Sequence, residues 1–164
     1  MIIFAIGGKT NIQLALHAGI NTSSSGIIVK NTMQTSNPDI FAGGDCCIVN
    51  NLLTEKPVQS CLWPDAVMQG MTAAHGIVGI KKEYPGTLII TSSNIFGTQL
   101  VTCGPVNQPT QDYEEIIRSE PDFYHKFLVH DEMLKGFVMV GKVENVGLLR
   151  KKLIDKSKFD SSLK

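Results

Sequence analysis

Two stretches of this sequence put chemically useful groups at telling positions. The first is Thr35-Ser36-Asn37-Pro38-Asp39-Ile40-Phe41-Ala42-Gly43-Gly44-Asp45. A turn leads into a short apolar strand that ends on Gly44 and Asp45. A glycine at such a strand end lets the backbone approach a flat, bulky group with no Cβ between them. The carboxylate that follows can accept a hydrogen bond from a hydroxyl of that group. The second stretch is a helix over residues 64–78, with Pro64 at its first position, Asp65 in its first turn and Ala66 next. First-turn N–H groups without partners, at the positive end of a helix, favour negative charge. Trp63, the cap residue if Pro64 opens the helix, offers no capping oxygen. Two readings stay open: Asp65 caps its own turn, or the Asp65 and Ala66 amides serve a ligand.

The other reactive residues spell out less. Cys46, Cys47, Cys61 and Cys103 form no CxxC pair, so neither a zinc knuckle nor a thioredoxin-type dithiol is indicated. A disulfide between adjacent Cys46 and Cys47 is sterically awkward, and reduced buried thiols are the default reading. His17, His75, His125 and His130 lack metal-ligand spacing and read as structural or exposed. No G-x-G-x-x-G follows a strand, so the usual cradle for a dinucleotide pyrophosphate is absent.

The elements that must position these groups fall into two halves. Residues 2–6 are a continuous apolar run ended by Gly7-Gly8, as expected of a strand covered on both faces. Asn11 can cap a short helix over 12–18 that Gly19 closes. Ser23-Ser24-Ser25-Gly26 is a turn before a strand at 27–29, a second short strand is expected at 40–42, and 50–59 reads as an irregular loop. Small residues along the helix at 64–78, among them Gly70 and Gly76, suggest tight packing against a neighbour. Lys81-Lys82-Glu83-Tyr84-Pro85-Gly86 is the natural boundary. Beyond it, β-type runs at 87–91, 98–103, 113–118, 123–129 and 134–140 follow at near-regular spacing, with a hairpin around Asp131-Glu132. A closing helix over 145–158 buries Val146, Leu149 and Leu153, with Ile154 at the edge of that face.

Together these segments resemble the FAD-dependent pyridine nucleotide-disulphide oxidoreductases, in the branch of NADH:rubredoxin reductase and nitrite reductase. The stretch from Thr35 to Asp45 resembles their second flavin-binding motif. Residues 2–11 are similar to the strand-glycine-Arg-Pro-Asn segment between the family's nicotinamide and flavin domains; Asn11 matches, and Lys9-Thr10 replaces Arg-Pro. Ala18-Gly19-Ile20, Gly26-Ile27-Ile28-Val29, Leu62-Trp63-Pro64-Asp65-Ala66 and Lys135-Gly136-Phe137-Val138-Met139-Val140-Gly141 also match in order. The resemblance implies an α/β fold (α+β overall): a partial FAD-binding Rossmann-like segment, then a small antiparallel β-sheet with a helix. Residues 1–82 would be the C-terminal segment of the nicotinamide/FAD-binding domain. Residues 83–164 would be a small α+β domain of interface or dimerisation type. FAD is the implied cofactor of the full-length protein, with its site incomplete here. Gly44 and Asp45 would meet the ribitol chain. Pro64, Asp65 and Ala66 would meet the pyrimidine edge, where reduced flavin carries its negative charge.

The totals fit this. The 164 residues suffice for one domain or two small units, and 43% hydrophobic residues allow a real core. Fifteen basic residues balance fifteen acidic ones, giving no field that would gather nucleic acid or anionic lipid. The basic cluster around Arg150-Lys151-Lys152 reads as a solvated helix face. No apolar run approaches the roughly 18 residues that span a bilayer, and a cytoplasmic location is expected. The leading expectation is part of an oxidoreductase passing hydride from NAD(P)H to flavin and on to an acceptor, such as a small redox protein. The isolated chain is expected to be inactive. The expected partners are upstream FAD- and NAD(P)H-binding segments, a homodimer mate and an electron-acceptor protein. The rival expectation is a non-catalytic oligomerisation or interaction module that kept the fold.

Overall fold

The computed structural model describes residues 1–107 and 112–159. The chain divides into two compact units, Met1–Thr87 and Leu88–Lys164. The division falls five residues beyond the sequence-based boundary because Tyr84 and Thr87, 2% and 0% exposed, are anchored in the first unit.

The first unit is a four-stranded mixed sheet with two helices. Its strands are β1 (Thr22–Ser23), β2 (Gly26–Ile28), β3 (Cys47–Asn50) and β4 (Pro57–Gln59), in the order β1-β2-β3-β4. Ser24 and Ser25 form the turn between β1 and β2, as their types suggest. β2 and β3 are parallel, with Ile27 opposite Cys47; the other two pairings are antiparallel. Met33, Val49 and Tyr84 form the buried core, with Val29 and Ala73 packed against them. The short helix α1 (Gln13–His17) begins after Asn11, whose side-chain oxygen accepts the Gln13 N–H at 3.3 Å. Gly19, at φ +69°, ends it. Ala15 is its buried residue, while Leu14 and Leu16 are exposed.

Three expectations are corrected here. Residues 2–6 form no strand, and Ile2, Ile3, Phe4 and Ile6 are all exposed. An apolar run becomes a buried strand only beside another strand, and none of the described strands pairs with it. Residues 40–42 contribute only an isolated bridge between Gln34 and Phe41. The region from Cys47 to Gln59, read partly as loop, is instead the β3–β4 hairpin.

Helix α2 (Trp63–Ile77) is amphipathic in the inverted sense. Its buried residues are the polar Gln69 and Thr72, whereas Trp63, Val67, Met68, Met71 and Ile77 are exposed. Gly76 is the position where tight packing holds: a Cβ there would lie 2.5 Å from the Phe41 ring. A Cβ on Gly70 would meet nothing.

The second unit is a five-stranded antiparallel sheet of β5 (Ile90–Ile95), β6 (Thr98–Cys103), β7 (Glu114–Glu120), β8 (Phe123–His130) and β9 (Met133–Val140), in the order β5-β6-β9-β8-β7. The run expected at 87–91 shifts to Ile90–Ile95. Asp131 and Glu132 both have positive φ, as a two-residue type I′ turn requires. Phe127 and Phe137 face each other across β8 and β9, at 1% and 0% exposure. Burial of each such side chain contributes about 1.5–3 kcal/mol. A bulge between Leu128 and Val129 breaks the alternation, so Phe127, Leu128 and Val129 are all buried. Helix α3 (Val146–Asp155) buries Leu149 and Leu153, while Ile154 is exposed. Its N-cap, Asn145, is left-handed and makes no side-chain cap, and the helix stops before Lys158, whose ammonium pairs with Glu132. No helix among the described residues is long and apolar enough to cross a membrane.

Candidate functional site

The segment that ends on Asp45 is set by its own hydrogen bonds. Thr35, 2% exposed, receives the Asn37 N–H on its hydroxyl oxygen at 3.2 Å, and the Thr35 N–H donates to the Ile40 carbonyl at 3.0 Å. Asn37 Oδ1 accepts the Asp39 N–H. This closed turn delivers the chain to the bridge at Phe41 and then to Gly43 and Gly44. A Cβ on Gly43 would approach Gln69 to 3.3 Å. Gly44 has φ +88°, and its N–H donates to Gln69 Oε1 at 2.7 Å. Gly43 is therefore explained by close contact with α2, and Gly44 by its backbone conformation. The tip of the segment is pinned to the second turn of the helix.

Asp45 is exposed at the wall of a cleft of about 510 Å³, shared with Lys9, Thr10, Cys46, Gln59 and Cys61. Gln59 joins the walls, its amide nitrogen donating to both the Thr10 hydroxyl and the Asp45 carbonyl. The Asp45 carboxylate is thus left facing solvent while its backbone is held.

The start of α2 differs from expectation. The cap residue is Leu62, in extended conformation and without a side-chain cap, so Trp63 opens the helix and Pro64 follows it. The Ala66 N–H already donates to the Leu62 carbonyl at 3.0 Å. Pro64 has no N–H, so Trp63 and Asp65 carry the first-turn donors that lack an intrahelical acceptor. The Asp65 side chain does not cap its own turn. Its Oδ2 accepts hydrogen bonds from the Ser60 and Thr87 hydroxyls, both groups buried, which ties the entry of the helix to the end of the unit.

Behind this lies a polar pocket that sequence reasoning did not single out. Gln69 is 0% exposed, and its Nε2 and the Tyr84 hydroxyl are buried side by side without a hydrogen bond of ordinary geometry. Burial pushes the Tyr84 phenol up to about 12, against the lowering effect of Gln69. Gln69 holds Gly44 from the front and meets Tyr84 from behind, so it is the pivot of the site. In the sequence Gln69-Gly70 belongs to the stretch that resembles the family's helix, but no role followed for the Gln69 side chain, because its partners Gly44 and Tyr84 are distant in the chain. Among the described residues no group of three or more metal-ligating side chains occurs.

Residues 1–70 match the family model described as pyridine nucleotide-disulphide oxidoreductase. The ferredoxin–NAD(+) reductase component of the 3-phenylpropionate/cinnamic acid dioxygenase of Photorhabdus laumondii is 29% identical over 163 residues, covering 99% of this chain and 40% of that protein. The assimilatory nitrate reductase electron transfer subunit of Bacillus subtilis is 32% identical over 143 residues, covering 86% of this chain and 18% of that protein. Among solved structures, an FAD-dependent pyridine nucleotide-disulphide oxidoreductase from Desulfovibrio vulgaris superposes with a TM-score of 0.83 at 25% identity, over 94% of this chain and 42% of that one. The chain thus spans well under half the length of these relatives.

Proposed function

We propose that this chain, whose residues 1–70 match the pyridine nucleotide-disulphide oxidoreductase model and which superposes on an FAD-dependent member of that family, forms the ribitol and ring-edge side of a flavin site. The enzyme it serves would oxidise NAD(P)H. The observation that carries this reading is the tip at Gly44-Asp45. An exposed carboxylate stands at an open cleft, next to a glycine at φ +88° whose N–H is held by Gln69 of α2, a helix without a side-chain N-cap. The residues fit the group: the carboxylate can accept hydrogen bonds from sugar-alcohol hydroxyls, and the free first-turn donors favour a partly anionic edge. In this reading Asp45 holds the ribitol and Gly44 gives clearance. Pro64, Asp65 and Ala66 lie in the helix start that would face the pyrimidine edge, the amides offered there being those of Trp63 and Asp65, with the Asp65 side chain setting its direction through Ser60 and Thr87. When bound, the flavin supplies the redox chemistry, accepting hydride and passing electrons on.

The rest of the site, including the dinucleotide cradle and the nicotinamide site, would come from residues outside this sequence. Two observations support that. The relatives are more than twice as long. The apolar outer face of α2 and the exposed run at 2–6 are surfaces that need cover. The Photorhabdus relative is named for a ferredoxin, so a small redox protein is the acceptor class we propose. A cytoplasmic location belongs to the same proposal.

The same exposed face also favours a second reading, an oligomerisation module that kept the fold without binding flavin. Light scattering and a visible absorbance scan separate the two. Joined to a family-type nucleotide-binding portion, the chain is expected to give a yellow protein with one flavin per chain. A colourless, well-folded product that forms discrete oligomers through α2 would favour the second reading.

A further inference from the structure

Asp65 and Gln69 are four residues apart on α2, so both project from the same face of the helix. Each holds one arm of the proposed flavin site. Gln69 Oε1 accepts the Gly44 N–H at 2.7 Å and so fixes the tip that carries Asp45. Asp65 Oδ2 accepts the Ser60 and Thr87 hydroxyls and so fixes the start of the helix. Two buried polar groups are left over by these bonds, Gln69 Nε2 and the Tyr84 hydroxyl, neither with a hydrogen bond of ordinary geometry. The Tyr84 phenol has Gln69, Asp65 and Thr87 as its polar neighbours. Its ring belongs to the core with Met33 and Val49, and the Tyr84 N–H donates to the Asn31 carbonyl at 2.8 Å. The residue is therefore anchored independently of its hydroxyl.

We propose that the Tyr84 hydroxyl is a positioning group that joins the two arms, accepting from Gln69 Nε2 and donating to the Asp65 carboxylate. The proposal rests on the flavin reading above and names the residue that keeps the two arms of that site in register. Donor and acceptor types favour this arrangement. Gly44 takes Gln69 Oε1, so the amide nitrogen, which has two N–H groups and accepts nothing, is the end that meets the phenol. A carboxylate only accepts, so the phenol proton goes to Asp65. Leaving a buried hydroxyl and amide unpaired is costly, and a small rotation of either closes both bonds.

The influences on the phenol have matching signs. Desolvation is the largest and pushes it up to about 12, so the hydroxyl keeps its proton and remains a donor. Beyond that, Gln69 lowers its pKa, as a donor to its oxygen does, and Asp65 raises it, as an acceptor of its proton does. Tied in this way, the carboxylate of Asp45 and the free first-turn donors of α2 keep a fixed separation, which a rigid cofactor spanning both requires.

The test is amide exchange by NMR on the full chain, in wild type, Tyr84→Phe, Gln69→Leu and the double variant. Tyr84→Phe removes the hydroxyl and leaves the ring in its core. It is expected to speed exchange at Gly44 by about 2–10-fold, while the amide of residue 84 keeps its rate. With Gln69→Leu already present, the same substitution should add nothing at Gly44. Equal acceleration at both amides, or additive effects in the double variant, would mean a loosened core and overturn the proposal. The wild type gives a second reading that survives a variant failing to fold. A slowly exchanging Tyr84 hydroxyl proton should show nuclear Overhauser contacts to the Gln69 side-chain amide, and a lack of that contact would also overturn the proposal. Joined to a family-type nucleotide-binding portion, Tyr84→Phe should raise the flavin dissociation constant by about the same 2–10-fold. An unchanged constant where Asp45→Ala raises it would sink this proposal alone. Constants unchanged in both variants would sink the flavin reading with it.

Discussion

The two units handle apolar side chains in opposite ways. In the second, every strand of the sheet is paired, and Phe127, Leu128, Phe137, Leu149 and Leu153 are all buried. In the first, the longest helix buries an amide and a hydroxyl and turns tryptophan, valine and methionine outward, while the apolar run at 2–6 lies exposed. The second unit is organised around an extended apolar core. The first has a small one around Met33, Val49 and Tyr84 beside a polar pivot, with apolar surface left over. The lesson is that an apolar pattern specifies burial only against something, and the site in the first unit is held by hydrogen bonds more than by packing.

That contrast can be broken by mutation. The largest effect should come from Leu128→Ala in the second unit. Removing a fully buried leucine from a closed core costs about 2–5 kcal/mol, and urea denaturation followed by a probe in that unit should show it. A loss under 1 kcal/mol would mean the second core is looser than its burial implies. Next is Gln69→Leu in the first unit. It leaves the part-buried Gly44 N–H, now bonded at 2.7 Å, without its partner, at about 1–3 kcal/mol. Amide exchange at Gly44 should accelerate, whereas unchanged protection there would remove Gln69 as the pivot.

Gly76→Ala and Gly70→Ala form a smaller, signed pair. Alanine gains about 1 kcal/mol of helix propensity at either site. At Gly76 the new Cβ meets the Phe41 ring at 2.5 Å, so overpacking of about 1–3 kcal/mol should reverse the sign. Gly70, with open space, should be stabilised. Equal thermal shifts for both would contradict the packing described. The smallest effect is expected for Met71→Gln, on the outer face of α2: within about 0.5 kcal/mol for the chain by itself. A larger loss would mean that this face is already covered.

The legibility of the sequence follows the same divide. Most of the second-unit strands were readable because alternation, turn residues and local hairpin pairing agree; Thr98–Cys103 falls where its pattern places it. Helix α2 was readable from Pro64 and its spacing, but not which face is buried, because the inverted pattern has the same period. The β3 strand was missed since Cys47–Asn50 is four residues long and pairs in parallel with a strand far away in sequence. The run at 2–6 misled for the reason given above: its apolarity describes what would cover it. At the site, Gly44 and Asp45 were singled out through the resemblance of residues 35–45 to a flavin-binding motif, and their role is the proposal made above. The roles of Gln59, Gln69, Tyr84 and Thr87 could not be read, because their partners are distant in the chain.

Flavin affinity of the Asp45→Ala variant tests the account most directly, measured by equilibrium titration on a protein that carries both this chain and a family-type nucleotide-binding portion. Loss of a hydrogen bond to a charged group is worth about 1.5–3 kcal/mol, which predicts a dissociation constant raised by roughly 10–150-fold with the fold intact. An unchanged constant in a folded variant would contradict the claim that this carboxylate holds the cofactor.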